Sequence, residues 1–582
     1  MPGPLLKKKW QVFSVTLCTL SAFLLLFIFR NADDNRLTSW KWAFTGTGAG
    51  WAVLIILPGL ILIYALLNSP ITRQRPSLFL FFISFAICAI FWRVPEVIID
   101  ASRYFTQAKH LELYGIKYFF SEWGKDINVW TDLPLIPFLY GLVFKIFGEA
   151  RAFIQVFTAI LFAGTAVFTY LIGRSLWNED TGFRAGVLLW GIPYIFSQTP
   201  LMLVDVPTMF FLTSSIYLFI MALQRGGIWI FVSAISVFCA VFSKYSAWVM
   251  LSVLAVVFLV YLKQGAGFRG QGSEGCARGL RPVVRNYIYR GVLAVFIAGV
   301  LIVPLVLYKY EVVLEQMKFL REYQSPGLRR WGESFASTFL YQIHPFITVA
   351  ALYSVYEAFR KKDLKFLIIS WLVLLTVLLQ IRRSRYVMVV FPMFTLMASY
   401  GLQKIESREI RRYVLSCIVT VSLAVAMFAY LPLLQSMSLV NLKNAGSFLD
   451  SVDAEEVEVF TVPSAKSTVN SSVAVPLLDL YTEKDIRYPD ADNFSLPYEK
   501  IKTSPIRFTW EYKNPGYYTR PQKGPVGYPA IAVISNLEDN VLPESIEEKV
   551  KGYRKVRVFE KTDGLFLYSP VVTVYMPATE SR

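Results

Sequence analysis

The sequence predicts a polytopic α-helical membrane protein of about thirteen spans, ending in a small extracytoplasmic α/β domain. Three observations predict it. Apolar residues make up 55% of the 582 and charged ones only 17%, with a mean hydropathy of +0.47, more apolar surface than one soluble core can bury. The apolar residues fall in runs close to the ~20 residues a helix needs to cross a bilayer. After about Gln435 the runs stop, and charges, prolines and short β-branched segments take over.

Taken in order, spans are predicted at 12–30, 43–67, 77–95, 152–172, 185–204, 208–223, 228–242, 248–262, 291–308, 338–358, 366–381, 386–402 and 413–434. Lys7, Lys8 and Lys9 precede the first. No small-residue cleavage site follows Arg30, so this segment reads as a retained anchor and not a removed signal peptide. Short loops rich in Lys and Arg stay in the cytoplasm. Placing Lys7 to Lys9 inside also puts Arg73, Arg75, Arg174, Arg184, Arg225, the 263–290 loop, Arg360 to Lys362 and the 404–412 loop inside. The N-terminus is then cytoplasmic. The 96–151 loop, Asp205, Lys244, the 309–337 loop, residues 382–385 and the C-terminal domain are outside.

The chain divides into an N-terminal hairpin (1–76), a membrane core (77–434) with its first external loop at 96–151, and the C-terminal domain (435–582). In that domain 457–462, 530–535, 555–559 and 565–569 read as strands, 543–551 as a helix and Thr562-Asp563-Gly564 as a turn. Its aromatics Trp510, Tyr512, Tyr517 and Tyr518 could stack on a sugar or fill a small core. The glycine-rich 264–279 stretch reads as a flexible linker, and 309–333 as a helix along the membrane surface ended by Pro326-Gly327.

The formal net charge of +17 comes from clusters between apolar runs, the pattern of cytoplasmic loops beside lipid, so nucleic acid is not an expected partner. Of five cysteines, Cys18, Cys88, Cys239 and Cys417 lie in apolar runs and Cys276 in a basic loop, so none suggests a disulfide framework or metal knuckle. His110 and His344 are the only histidines, too few for a His-based zinc site. Carboxylates alone can hold a hard cation, so a divalent metal stays open although no metal site is assigned.

Charges beside hydrocarbon are expensive and tend to be functional. Here they collect on the external side: Asp100 and Arg103 after the third run, Asp205 and Lys244 at turns between runs, and Arg382, Arg383 and Arg385 against the positive-inside pattern. The arginines call for an anionic partner there, whether a lipid headgroup, a carboxylate or a substrate phosphate. A carboxylate at a dry interface can be tuned as a general base for an acceptor hydroxyl, while cations hold a phosphate leaving group. Tyr104, Trp130 and Tyr386 are the aromatics of the same segments and candidate substrate contacts. As plain structure, Asp100 could cap a helix starting at Ala101, and Asp205 one starting at Pro207.

The ordered set of motifs is specific. Asp100-x-x-Arg103-Tyr104 follows one span, with a Leu-Pro-Leu segment and an amphipathic helix after it. Phe147-Gly148-Glu149-Ala150-Arg151 opens the next span, and Leu171 to Trp177 closes it. Leu203-Val204-Asp205-Val206-Pro207, Phe242-Ser243-Lys244-Tyr245 and Arg385-Tyr386-Val387 to Pro392 complete it. Over roughly 77–404 it resembles the GT-C membrane glycosyltransferases of the protein O-mannosyltransferase and lipid A aminoarabinose transferase group.

That resemblance implies a GT-C fold in the plasma (inner) membrane and transfer of a sugar from a polyprenyl-phosphate donor on the non-cytoplasmic face, with inversion. The acceptor would be a glycolipid, polysaccharide or protein. It implies Asp100 as catalytic base, Asp205 as second aspartate of the site, and Arg103, Lys244 and Arg385 as donor-phosphate contacts; no cofactor beyond the donor lipid is implied. Two departures stand out: Ala101 replaces a second acid, and Asp132-Leu133-Pro134 stands where aminoarabinose relatives carry Lys-Pro-Pro. A transporter or lipid flippase, or a non-catalytic envelope scaffold, are the rival readings.

Overall fold

The computed structural model describes residues 4–34, 40–267, 274–324, 333–462, 467, 469–489, 498–504, 506–519, 529–537, 542–562 and 568–578. Among them, eight helices are long and apolar enough to cross a membrane: Lys8–Ala32, Gly50–Leu67, Arg151–Leu176, Asp205–Arg225, Tyr245–Gly265, Val283–Tyr308, Ser384–Leu402 and Arg408–Ser436. Four shorter apolar helices accompany them, at Pro76–Ala89, Leu135–Phe147, Ile228–Ser243 and Phe366–Leu378. The chain is a multi-pass membrane protein.

The predicted spans fall mostly on helical backbone, but several are broken or partly non-helical: 77–95 is helical only through Pro76–Ala89, and two others are interrupted. The 185–204 run is a helix Glu179–Leu188, a 3₁₀ turn Leu189–Gly191 and a second short helix Pro193–Gln198. Pro193 lacks the N–H that a continuous helix would need and instead starts the second piece. The 338–358 run begins with a π-turn, Ser337–Tyr341, before the helix Pro345–Lys361. There His344 Nδ1 accepts a hydrogen bond from Phe346 N at 3.2 Å.

The 264–279 linker is also revised where it is described, because Val253–Gly267 and Glu274–Tyr308 are both helical. Gly265 is there for close packing and not for flexibility: a Cβ on it would sit 3.2 Å from Val284 Cγ2.

The N-terminal hairpin packs Phe23, Phe44 and Ile56 against Val421, Val425 and Tyr430 of the last long helix. The first loop holds two helices. Ala101–Glu122 is kinked at Gly115, whose φ of 83° and ψ of 177° only glycine adopts freely. Leu135–Phe147 lies against it, with Gly141 close to Ala108 and Leu111. Tyr140 ties this pair to the core by donating to the Leu203 carbonyl at 2.6 Å. Tyr310–Phe319 is the expected helix of the 309–333 segment; Pro326-Gly327 lies outside the described residues.

The C-terminal domain is a five-stranded sheet in the order β2-β1-β3-β5-β4. Its strands are β1 Glu456–Thr461, β2 Asp485–Arg487, β3 Ala530–Asn536, β4 Tyr553–Phe559 and β5 Pro570–Pro577. β1 is parallel to β2 and β3, pairing Val457 with Ile486 and Val459 with Ala532, whereas β5 is antiparallel to β3 and β4. Of the strand expected at 565–569, residues 565–567 lie outside the described residues, as do Asp563 and Gly564 of the expected turn; the strand described next is β5, Pro570–Pro577. One sheet face packs Phe460, Ile531 and Val533 on Ile546 of the helix Glu544–Val550. The other carries Val457, Val459, Ala532 and Val574 into the same apolar core as the membrane helices.

Candidate active site

The charges predicted for the external face converge. Asp205 opens the helix Asp205–Arg225 with both carboxylate oxygens engaged: Lys244 Nζ at 2.5 Å and Arg385 Nε at 2.6 Å. Arg385 then reaches Asp100 through Nη1. Arg385 therefore bridges two carboxylates delivered by distant segments, and Asp205 itself is fully buried. Neither aspartate caps its helix through its side chain, so the capping alternative does not describe them.

Helical spacing sets the second half of the cluster. Asp100, Arg103 and Gln107 follow one another at three- and four-residue steps and share one face. Arg103 Nη2 lies 3.8 Å from Asp100 and 3.1 Å from Asp132 Oδ1. Gln107 Nε2 donates to the other Asp132 oxygen at 3.1 Å and to the Asn128 carbonyl at 2.9 Å. Asp132, which in sequence marked only a departure from relatives, is thus a buried anchor of the site. Two signals for it are in the sequence: Gln107 falls on the Asp100 face, and Asp132 is the only acid between Asp126 and Glu149.

Burial would raise the Asp100 carboxyl, but the guanidiniums of Arg385 and Arg103 outweigh it and hold the group well below the usual carboxylate range. Tyr386 packs beside the cluster, with Lys244 Nζ 4.6 Å and the Arg383 guanidinium 5.1 Å from its ring centroid. Glu333 accepts from Ser384 N at 2.8 Å and so fixes the start of the segment that carries Arg385.

Not every expected residue joins. Arg382 is exposed, donating to Gln380 at 2.8 Å with its guanidinium near Phe335, because the chain turns there and only Arg383 and Arg385 point inward. Tyr104 is buried against Arg103. Trp130, at a φ of 46°, lies farther along the loop among Phe319, Tyr323 and Phe508. Gln316 holds that strap in place by donating to the carbonyls of Trp130 (3.1 Å) and Asp132 (3.0 Å). No cluster of three or more His, Cys, Asp or Glu side chains arranged for a metal occurs among the described residues.

The C-terminal domain closes over this loop. Lys109 Nζ pairs with Glu149 at 3.0 Å and with Asp479 at 2.6 Å, and Tyr518 donates to Asp479 at 2.7 Å. Tyr517 packs edge-on to His110. Of the four aromatics that could stack on a sugar or fill a core, Tyr517 and Tyr518 are buried in packing between the loop and the domain.

This arrangement of membrane helices, a two-helix first loop and a capping α/β domain is the GT-C fold of membrane glycosyltransferases. It is similar to a crystal structure of ArnT from Cupriavidus metallidurans bound to undecaprenyl phosphate, with a TM-score of 0.53 and 12% identity over 88% of this chain and 99% of that one. Archaeal oligosaccharyltransferase AglB from Archaeoglobus fulgidus, in complex with an inhibitory peptide and a dolichol-phosphate, matches at a TM-score of 0.46 and 10% identity over 80% of this chain and 70% of that one. Residues 132–268 match the family described as dolichyl-phosphate-mannose-protein mannosyltransferase. That segment holds Asp132, Asp205 and Lys244. No curated protein matches the chain in sequence.

Proposed function

We propose that the protein transfers a sugar from a polyprenyl-phosphate donor to an acceptor hydroxyl on the extracytoplasmic face of the plasma membrane. The observation that carries this reading is Arg385, bridging Asp100 and Asp205 with Lys244 on the far oxygen of Asp205. Asp100 takes the acceptor's hydroxyl proton, and the freed oxygen attacks the anomeric carbon with inversion. The bond from that carbon to the phosphate oxygen breaks, and polyprenyl phosphate leaves with the electron pair. Lys244 and Arg385 stabilise the charge that builds on it; Arg103 and Arg383 add positive potential, and Tyr386 lines the approach. Asp205 keeps both cations oriented.

The gathering of cations supports an anionic donor. Arg103, Lys244 and Arg385 are three cations gathered on Asp100, Asp132 and Asp205 at one site. A sugar phosphodiester carries one negative charge. Entry of the phosphate also draws Arg385 away from Asp100, and a carboxylate that loses a cation becomes a stronger base. The donor thereby activates the group that deprotonates the acceptor.

The test is reconstitution of the full chain in liposomes with polyprenyl-phosphate sugars and an envelope glycolipid and polysaccharide extract. Asp100→Asn should lower transfer by about 10²–10⁴-fold while the protein inserts and elutes normally. Normal turnover in that variant would remove Asp100 as base, and donor-independent lipid movement that survives it would favour a flippase.

A further inference from the structure

The first predicted span ends in acids that the proposed chemistry leaves unused. A 3₁₀ turn, Arg30–Ala32, closes its helix, and Asp33 and Asp34 follow. Acids are rarely buried without partners, yet Asp33 is only 6% exposed. Its two carboxylate oxygens accept from Ser337 Oγ at 2.6 Å and from Gln342 Nε2 at 3.3 Å, and Asp34 Oδ1 accepts from Ser334 N at 3.1 Å. Tyr341 adds a further tie by donating to the Phe29 carbonyl at 3.2 Å. The end of the first span is thus fastened to residues 333–342.

The same segment holds the arginine turn on its other side. Thr338 Oγ1 donates to the Arg382 carbonyl at 3.1 Å and lies 3.0 Å from Ser384 Oγ, while Glu333 accepts from Ser384 N at 2.8 Å. Thr338 and Ser384 are fully buried, so water does not replace these bonds. Buried hydrogen bonds are costly to leave unmade, and a shift of 333–342 therefore carries the 382–385 turn with it. Arg385 touches Asp205 through Nε and Asp100 through Nη1, so a small rotation of that turn breaks one contact or the other.

We infer that the N-terminal hairpin is a working part of the donor site, with Asp33 and Asp34 as positioning residues that fix, through residues 333–342, the turn carrying Arg383 and Arg385. The inference rests on the transferase reading and adds to it residues that precede the stretch resembling the GT-C enzymes. Cations held in place bind an anion more tightly than mobile ones, because their ordering is completed on folding and not on binding. The hairpin supplies that order.

The test uses the full chain in nanodiscs with undecaprenyl phosphate as the probe, and Kd is measured from about pH 6 to 8. Each variant is read as its ratio to the parent at the same pH, which cancels the titration of the lipid's own phosphate. Asp33→Ala removes both acceptors and should raise Kd by at least about fivefold at every pH, the value of one hydrogen bond. Ile56→Ala loosens the apolar packing of the hairpin but removes no hydrogen bond to 333–342; it should lower the melting temperature and leave Kd unchanged. Asp33→Asn separates charge from shape. Glu333 faces Asp33, Asp34, Arg383 and Tyr194. Withdrawing the Asp33 charge lets Glu333 ionise at a lower pH than its value of about 7. The Kd ratio should then peak just below that pH and return toward one above it, and the peak should vanish when Glu333→Gln is added. A hairpin that only helps the chain fold gives no such peak.

If the parent binds undecaprenyl phosphate and both Asp33 variants match it at every pH, the positioning role is overturned and the transferase reading is spared. Equal weakening by Ile56→Ala and Asp33→Ala would overturn it too, because general packing would then explain both. Should Asp33→Ala fail to insert, the Asp33→Asn profile decides: a peak supports the role and a flat ratio overturns it. No binding of undecaprenyl phosphate by the parent would overturn the transferase reading, and with it any donor role for the hairpin.

Discussion

Glu333 sets the charge of the cluster. Burial, aided by Asp34 and Asp33, outweighs Arg383 and the Ser384 N–H and pushes its carboxyl up to about 7. At pH 6 the group is mostly neutral in the folded protein and the cluster is more positive than at pH 8, where the group is ionised. Donor KM should therefore rise as pH passes 7, and Glu333→Gln should remove that rise. The stability sign is the opposite of the usual carboxylate case. Between the unfolded value near 4.3 and about 7 the folded state binds the extra proton, so stability falls as pH rises through this window and is level above it. Glu333→Gln should flatten that slope in apparent melting temperature; an unchanged slope would place the titration elsewhere.

Residues also show what a linear reading reaches. Asp100, Asp205, Lys244 and Arg385 were legible because charge beside hydrocarbon is costly and therefore conspicuous. Arg382 was indistinguishable from Arg383 and Arg385, since adjacent residues of one basic run differ only by which way a turn aims them. Asp132 carried only weak signals in the sequence, as a departure from relatives and an isolated acid, because the fold of the loop and not spacing brings its partner Arg103 to it. The 185–204 interruption was hidden for another reason: an apolar run looks the same whether or not Pro193 restarts the helix.

At the scale of elements, the kink at Gly115 lets one helix serve two surroundings. Ala101 to Leu111 is largely buried against the core, whereas Leu113, Tyr114 and Ile116 are exposed. A side chain at φ 83°, ψ 177° is strained, so Gly115→Val should destabilise the protein by roughly 1–3 kcal/mol. The effect should appear as a lower melting temperature and faster proteolysis of the 112–128 segment, with Asp100 chemistry weakened less than stability. A variant as stable as the parent would mean the two halves of the helix are not fixed by this residue.

For the molecule as a whole, Lys109 joins three separate segments: the loop helix, Glu149 at the mouth of the next span, and Asp479 in the C-terminal domain. Removing one partner of a buried pair leaves an uncompensated charge, at a cost of about 3–5 kcal/mol. Lys109→Met leaves two carboxylates without their cation and should loosen the domain, seen as protease cleavage near residue 437 and loss of activity. Asp479→Asn should be milder, because Glu149 still pairs with Lys109. Equal effects of the two variants would argue that the domain is held by its apolar face alone.

That three-way junction also orders the protein's biogenesis. A growing chain exposes Lys109 and Glu149 early and can pair them at once, but the third partner is made only after every predicted membrane helix has been synthesised. Until then the first loop lacks its cover, and Tyr517 is not yet there to shield His110. A ribosome stalled between the last membrane helix, Arg408–Ser436, and residue 479 leaves the helices made but Lys109 without its third partner. A product truncated there exposes the Lys109–Glu149 pair that the finished protein covers.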